Sequence, residues 1–311
     1  MSSNKKNKVD FIVITGPTAT GKTKIAVEMA DCYNGEVISA DSRQIYKGMD
    51  IGTGKDLDEY IFNGKKISYY LIDILEPSEN YSVYQFQRDF ILSYNKIKKK
   101  NKLPILCGGT GLYIESILLK YELQNAPGPN DNLRNDLKNK TRQELLDLFK
   151  DLSPKGHLIP SKIDTNNRII RSIEIELNKK SHKPDVFKNQ NIDNFLVIGI
   201  KQDRQDNRAL IKKRLIERID TGLIDEVEKL IDDGLDISRL DYFGLEYKFI
   251  GLYLKKELSK NELIEKLNIA ICQFAKRQMS WFRRMEKRGI NIHWISPNDT
   301  DKINILIKNA I

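Results

Sequence analysis

The amino-acid sequence predicts an α/β fold, a parallel sheet flanked by helices, with a small helical domain inserted into it. Three observations predict this. Short apolar runs recur between helical patterns, as in βα units around a parallel sheet. The first such run is joined to the first helix by a glycine-rich octet, Gly16-Pro17-Thr18-Ala19-Thr20-Gly21-Lys22-Thr23. Between residues 118 and 194 the strand signals vanish and polar, helical patterning takes over.

The elements follow in order. Residues 9–14 form the first strand, and a helix begins at Lys22. The octet between them has the spacing G-x-x-x-x-G-K-[ST] in the required strand–loop–helix context, so the sheet is expected to be P-loop NTPase-like. Its glycines let backbone N–H groups close on anionic oxygens, and the helix N-terminus adds partial positive charge. All eight residues, Gly16, Pro17, Thr18, Ala19, Thr20, Gly21, Lys22 and Thr23, are therefore candidates for gripping a di- or triphosphate. Lys22 would neutralise the phosphates. The Thr23 hydroxyl would reach Mg2+, the one cofactor expected. Further strands are predicted at 36–40, 69–74, 103–107, 195–200 and 291–295, with helices beginning near Tyr84 and Tyr113. Breakers at Pro127-Gly128-Pro129 and Ser153-Pro154 divide the insertion, where Leu145, Leu148, Phe149 and Leu152 lie at helical spacing. Long helical patterns cover 208–232 and 261–287. The expected division is a core domain, 1–117 with 195–311, and an inserted helical domain, 118–194.

A chain of 311 residues, 40% hydrophobic, suits a core domain plus a smaller one, and no apolar run is long enough to cross a bilayer. The basic tract at residues 1–8 leads into a short strand instead of a signal-peptide core, so cytoplasmic residence without a membrane partner is the expectation, as a monomer. Cys32, Cys107 and Cys272 lie far apart, and His157, His182 and His293 have no ligand-like neighbours; neither a disulfide framework nor a zinc site is expected. The formal net charge of +9 attracts polyanions, nucleic acid first, although lysine-rich composition alone decides little.

The second strand ends in Ser39-Ala40-Asp41-Ser42-Arg43-Gln44-Ile45-Tyr46. Chemistry gathers at the carboxyl ends of strands in such sheets, which puts Asp41 beside the phosphate loop as a general base, a magnesium ligand or a helix cap. The strand at 103–107 runs into Gly108-Gly109-Thr110-Gly111-Leu112-Tyr113, without the acidic residue a nucleotide hydrolase would carry there, and no N-K-x-D guanine signature occurs. Both absences argue against an ATPase or GTPase motor.

These motifs, with Lys47-Gly48-Met49-Asp50-Ile51-Gly52-Thr53 after the second, resemble those of the tRNA dimethylallyltransferases (tRNA isopentenyltransferases) of bacterial type, in order and distance, over nearly the whole chain. Asn167-Arg168-Ile169-Ile170-Arg171 and Lys276-Arg277-Gln278-Met279-Ser280-Trp281-Phe282-Arg283-Arg284 agree with it. The resemblance implies transfer of a dimethylallyl group from dimethylallyl diphosphate to N6 of the adenosine beside the tRNA anticodon, position 37. It implies Asp41 as general base, Thr110 hydrogen-bonding near the same centre, and Arg218 reaching the diphosphate. The adenine would be flipped out of an anticodon stem-loop. Asp41, Ser42, Arg43, Gln44 and Thr110 would read it. Arg134, Asn167, Arg168, Ile169, Ile170 and Arg171 of the insertion, and Lys276, Arg277, Gln278, Trp281, Arg283 and Arg284 of the last long helix, are the further expected tRNA contacts. Residues 276–288 hold six basic residues against one acid, Glu286, in two adjacent rows on one helical face.

The chain departs from the family in one loop. Where an R-x-x-G-Y-R pattern is usual, Asp241-Tyr242-Phe243-Gly244-Leu245-Glu246 keeps the glycine but has anions in place of both arginines. That puts the local RNA contacts in question. Three rival readings share some features. An adenylate isopentenyltransferase acting on free AMP or ATP would need neither the insertion nor the basic helix. A small-molecule kinase is favoured only by the phosphate loop. A non-catalytic RNA-binding protein would not need Lys22, Thr23 and Asp41 together.

Overall fold

Strands that are buried on both faces need unbroken apolar runs, and the sequence supplies six of them. The computed structural model describes residues 8–123, 127–153, 165–177 and 184–311. Most of the basic tract, at 1–7, the breaker Pro154, and His157 and His182 lie outside the described residues.

In chain order the first part comprises β1 (Phe11–Thr15), α1 (Lys22–Cys32), β2 (Gly35–Ser39), a hairpin of β3 (Ile61–Phe62) and β4 (Lys65–Lys66), β5 (Tyr69–Tyr70), α2 (Val83–Lys99), β6 (Leu103–Gly108) and α3 (Gly111–Leu118). Three helices follow, α4 (Asp131–Leu137), α5 (Arg142–Leu152) and α6 (Asn166–Leu177). The chain then continues with β7 (Phe195–Ile200), α7 (Arg204–Asp220), α8 (Leu223–Asp232), α9 (Leu245–Leu254), α10 (Lys260–Lys287), β8 (Ile292–Ile295) and α11 (Thr300–Ala310). It divides into two compact units, one of residues 1–120 with 189–311 and one of residues 121–188.

The larger unit holds a six-stranded sheet in the order β5-β2-β6-β1-β7-β8, parallel at every pairing. All five residues of β1 are buried, as the continuous apolar run of a doubly covered parallel strand requires. Because β2, β6 and β1 are neighbours, the three motif-bearing loops leave the same edge of the sheet side by side. One core, with Ile12, Ile14, Met29, Val37 and Ile105, joins the sheet to α1 and α11. A second gathers α7 to α10 around Tyr46 through Leu215, Val227, Tyr247 and Leu267.

Two expectations need correction. The strand predicted at 69–74 stops after Tyr70 because Leu71 and Asp73 take left-handed backbone angles, φ 64° and 55°, which end the ladder. The single helical pattern at 208–232 is two helices, broken where Gly222 adopts φ +102°. Three helix starts are fixed by capping boxes, Ser82 with Gln85, Thr141 with Glu144 and Ser259 with Glu262.

In the smaller unit, Leu137, Leu145, Phe149, Ile169, Ile170 and Ile173 form a core of their own. Ile169 and Ile170, expected at the tRNA, are 0% and 5% exposed: their side chains belong to the core of this unit. Arg134 and Arg171 converge on the fully buried Glu174: Arg134 makes a two-pronged contact at 2.6 and 3.0 Å, and Arg171 bonds it at 2.8 Å. Desolvation would raise this carboxyl, but the two guanidiniums and the Asn130 amide hold it down at about 2. Both arginines are therefore committed to an internal anion, while Asn167 and Arg168 are exposed.

Candidate active site

The octet after β1 wraps a turn held both by its own hydrogen bonds and by side chains distant in the chain. The Thr20 hydroxyl donates to the Pro17 carbonyl at 2.9 Å, and the Lys22 ammonium donates to the same oxygen at 2.7 Å. Burial lowers the Lys22 pKa to about 8, with Arg214 adding repulsion while Cys107 and Asp41 oppose the shift. A lysine folded back on its own loop and desolvated gains most from an incoming anion.

The loops after β2 and β6 meet beside it. The Ser42 amide donates to the Thr110 hydroxyl at 3.1 Å, and the Arg43 amide donates to Asp41 Oδ1 at 2.9 Å, which aims the carboxylate. Thr110 stands at the N-cap of α3 without capping it, because its oxygen is used across the two loops. Gln44 is buried and spent internally: its carbonyl accepts from Ser39 and its amide donates to the Gly54 carbonyl at 2.8 Å, so it is not free to read a base.

A cavity of about 610 Å³ opens here, lined by Thr18, Ala19, Gly21, Lys22, Thr23, Asp41, Ser42, Arg43, Thr110, Arg214 and Arg218, with Tyr60, Leu112, Phe243, Ile271 and Trp281 supplying apolar wall. Arg218 was expected here; Arg214 was not. It lies one turn earlier on α7 and donates to the Thr18 hydroxyl. Burial and the neighbouring Arg218 push its pKa down to about 10, so Arg214 stays charged at neutral pH. The signal was available in the sequence, since residues four apart share a helix face.

The basic helix separates into distinct roles. Arg277 lines the cavity and lies over the Phe274 ring at 5.9 Å; Lys276 and Arg283 are exposed. Gln278 is buried instead of facing RNA. Its carbonyl accepts from the Thr18 amide and its amide donates to the Gly109 carbonyl, both at 2.9 Å, tying α10 to the phosphate loop. Arg284 does not stand free in a basic row: it and Arg288 bond the fully buried Glu115 of α3, at 2.5 and 2.8 Å. Arg284 also covers the Trp281 ring at 4.3 Å. The sequence clue to Glu115 was a lone acid in the apolar helix around Ile114 and Ile117. In the departing loop, Glu246 lines the cavity and its carboxyl is raised by burial against the pull of Arg218 and Arg214; Asp241 pairs with Lys248 at 3.3 Å.

Among the described residues no group of three His, Cys, Asp or Glu side chains could hold a metal ion. A diphosphate-borne Mg2+ needs no such cage, because it keeps waters and phosphate oxygens and takes one or two protein oxygens. The Thr23 hydroxyl on the cavity wall fits that donor set. No described helix is long and apolar enough to cross a membrane.

Comparison with known proteins gives one answer. The family described as IPP transferase matches residues 44–285. The chain is 51% identical over 289 residues to tRNA dimethylallyltransferase 1 of Parabacteroides distasonis, covering 92% of each chain. It is 46% identical to tRNA dimethylallyltransferase 2 of Phocaeicola vulgatus, covering 93% of this chain and 92% of that one. Among solved structures, the full-length tRNA isopentenylpyrophosphate transferase of Bacillus halodurans superposes with a TM-score of 0.68 at 32% identity, over 96% of this chain and 95% of its own. A eukaryotic dimethylallyltransferase acting on tRNA shares the fold, with a TM-score of 0.74 at 20% identity, over 96% of this chain and 76% of that one.

Proposed function

The chain belongs to the IPP transferase family of tRNA dimethylallyltransferases, and from that premise we propose that it moves a dimethylallyl group from dimethylallyl diphosphate to N6 of adenosine 37, beside the anticodon of tRNA. The observation that carries this reading is the shared cavity: the phosphate loop, two arginines and the Asp41 carboxylate line one space.

The diphosphate lies against the octet's backbone, with Lys22, Arg214 and Arg218 as its cations. Mg2+, when bound with it, supplies further neutralisation of the leaving group, and Thr23 would hold it. An exocyclic aromatic amine is a poor nucleophile because its lone pair is delocalised into the ring. Asp41 accepts an N6 proton as the N6–C1 bond forms, and the C1–O bond breaks with its electron pair leaving on the diphosphate. The three cations face charge that develops only as that bond breaks, so they stabilise the transition state more than the bound donor. Thr110 fixes the loop that carries Asp41. The tRNA enters along α10, where Arg277 and the exposed Lys276 and Arg283 meet its phosphates, and Trp281 stands at the cavity wall. The insertion contributes Asn167 and Arg168, and the enzyme acts as a cytoplasmic monomer.

Purified protein given dimethylallyl diphosphate with tRNA, or with free AMP, tests this by mass spectrometry of the nucleosides. Prenylated adenosine in the tRNA hydrolysate is the expected result. Product from AMP alone, or consumption of ATP with no prenyl transfer, contradicts it.

A further inference from the structure

Part of the cavity wall is a loop, residues 50–54, whose one large apolar side chain is Ile51. Gly52, Thr53 and Gly54 line the cavity; Gln44 holds the Gly54 carbonyl at 2.8 Å, and the amides that precede it are held from outside the cavity. Glu226, in the first turn of α8, accepts four hydrogen bonds. The amides of Asp50 and Ile51 donate to Oε2 at 2.7 and 2.6 Å; the Gly52 amide and the Tyr247 hydroxyl donate to Oε1 at 3.0 and 2.8 Å. Three consecutive backbone N–H groups on one carboxylate form an anion nest occupied by the protein's own side chain. The loop so held packs tightly. A Cβ built on Gly52 would lie 2.6 Å from the Tyr247 phenol, and one on Gly54 would lie 2.0 Å from the Arg218 guanidinium. Just beyond, Asp56 pairs with Arg218 at 3.2 Å. The surface against which Arg218 rests is thus set jointly by Gln44 and by a carboxylate that does not itself line the cavity.

We propose that Glu226 is a positioning residue for donor binding: by gathering the amides of residues 50–52 it fixes the Gly54 backbone against Arg218 and so aims that guanidinium at the diphosphate. This rests on the reading of Arg218 as a diphosphate ligand. Glu226→Gln replaces one accepting oxygen by an amide that faces a donor, so the nest opens on one side while the side chain keeps its size. Because misplacement of about 1 Å at a reacting group costs up to about a hundredfold, the KM for dimethylallyl diphosphate and the Kd for inorganic pyrophosphate are expected to rise about tenfold. The kcat falls as well, because Arg218 faces charge that develops as the C1–O bond breaks, while the tRNA affinity stays close to that of the parent. Tyr247→Phe removes one of the four bonds but keeps the ring against Gly52, and raises KM by about twofold by the same reasoning.

The decisive readout is the double variant. In an Arg218→Ala background, Glu226→Gln adds almost nothing, because its effect passes through the arginine. Independent, multiplying effects of the two substitutions overturn the proposal, as does an unchanged pyrophosphate Kd in Glu226→Gln. Should Glu226→Gln not fold, Tyr247→Phe carries the same test: an unchanged KM overturns the proposal, and a raised KM that vanishes in the Arg218→Ala background supports it. A parent protein that binds pyrophosphate but transfers no prenyl group refutes the proposed function instead, and the pyrophosphate arm still decides the role of Glu226.

Discussion

Two pairs of arginines, each spaced four residues apart on a helix, look alike in the sequence and do opposite things. Arg284 on α10 and Arg288 at its C-cap close on Glu115, an anion the protein supplies, and that pair is finished chemistry. Arg214 and Arg218 on α7 face the cavity. Among the described residues Arg214 bonds a threonine hydroxyl and Arg218 the half-exposed Asp56, while Glu246 and Glu59 act on Arg214 through space without pairing it, so burial still depresses Arg214. The smaller unit repeats the first pattern, with Arg134 and Arg171 on Glu174. A cation row therefore marks a ligand site only after its internal anions have been counted. The cluster left incomplete is the one that awaits a polyanion.

The comparison can be broken or sharpened by four measurements, in falling order of effect. Lys22→Ala, on the incomplete side, removes a cation aimed at the leaving group and lowers the prenyl transfer rate by about a hundredfold or more; a loss below about threefold would place the diphosphate elsewhere. Glu115→Gln, on the finished side, leaves two half-exposed guanidiniums against a buried amide. It costs about 2 kcal/mol of stability in urea unfolding, discounted from the full penalty for a broken buried pair because the arginines see solvent. Its prenyl transfer rate below the unfolding transition stays near that of the parent.

Third, pyrophosphate affinity should depend on pH through Lys22. In the free protein its pKa is about 8, and a bound anion favours the ammonium form, so binding takes up a proton above that pH. The ratio of parent to Lys22→Arg affinity, in which the ligand's own ionisation cancels, is flat below about pH 8 and falls by up to about tenfold per unit above it. Last, Arg277→Ala should weaken tRNA binding severalfold and reduce the slope of log Kd against log salt by about one contact, whereas Arg284→Ala leaves the slope unchanged and lowers the unfolding midpoint. Equal slopes for both variants would return Arg277 to a solvated helix face.

Much of the fold was legible because it is written locally. The β1–octet–α1 unit, the run of β6, and the starts of α2 and α10 are set by short-range pattern, and the sheet edge that gathers the motifs follows from topology. What the sequence hid depends on partners distant in the chain. Gln278 reads as one more polar residue on a basic helix until Thr18, 260 residues away, is brought to it. Glu226 is a plain first-turn acid until the amides of residues 50–52 arrive, and Ile169 and Ile170 become core only when α5 covers them. The strand at 69–74 failed for a different reason: the apolar content was right, but backbone angles at Leu71 and Asp73 ended the pairing.

Asp41 is where the account is most exposed. Single-turnover transfer by Asp41→Ala, with tRNA affinity measured on the same preparation, tests it most directly: the rate should fall by at least about a hundredfold while the tRNA Kd stays within about twofold. Transfer at the parent rate would contradict it, and the proton of N6 would then need another acceptor.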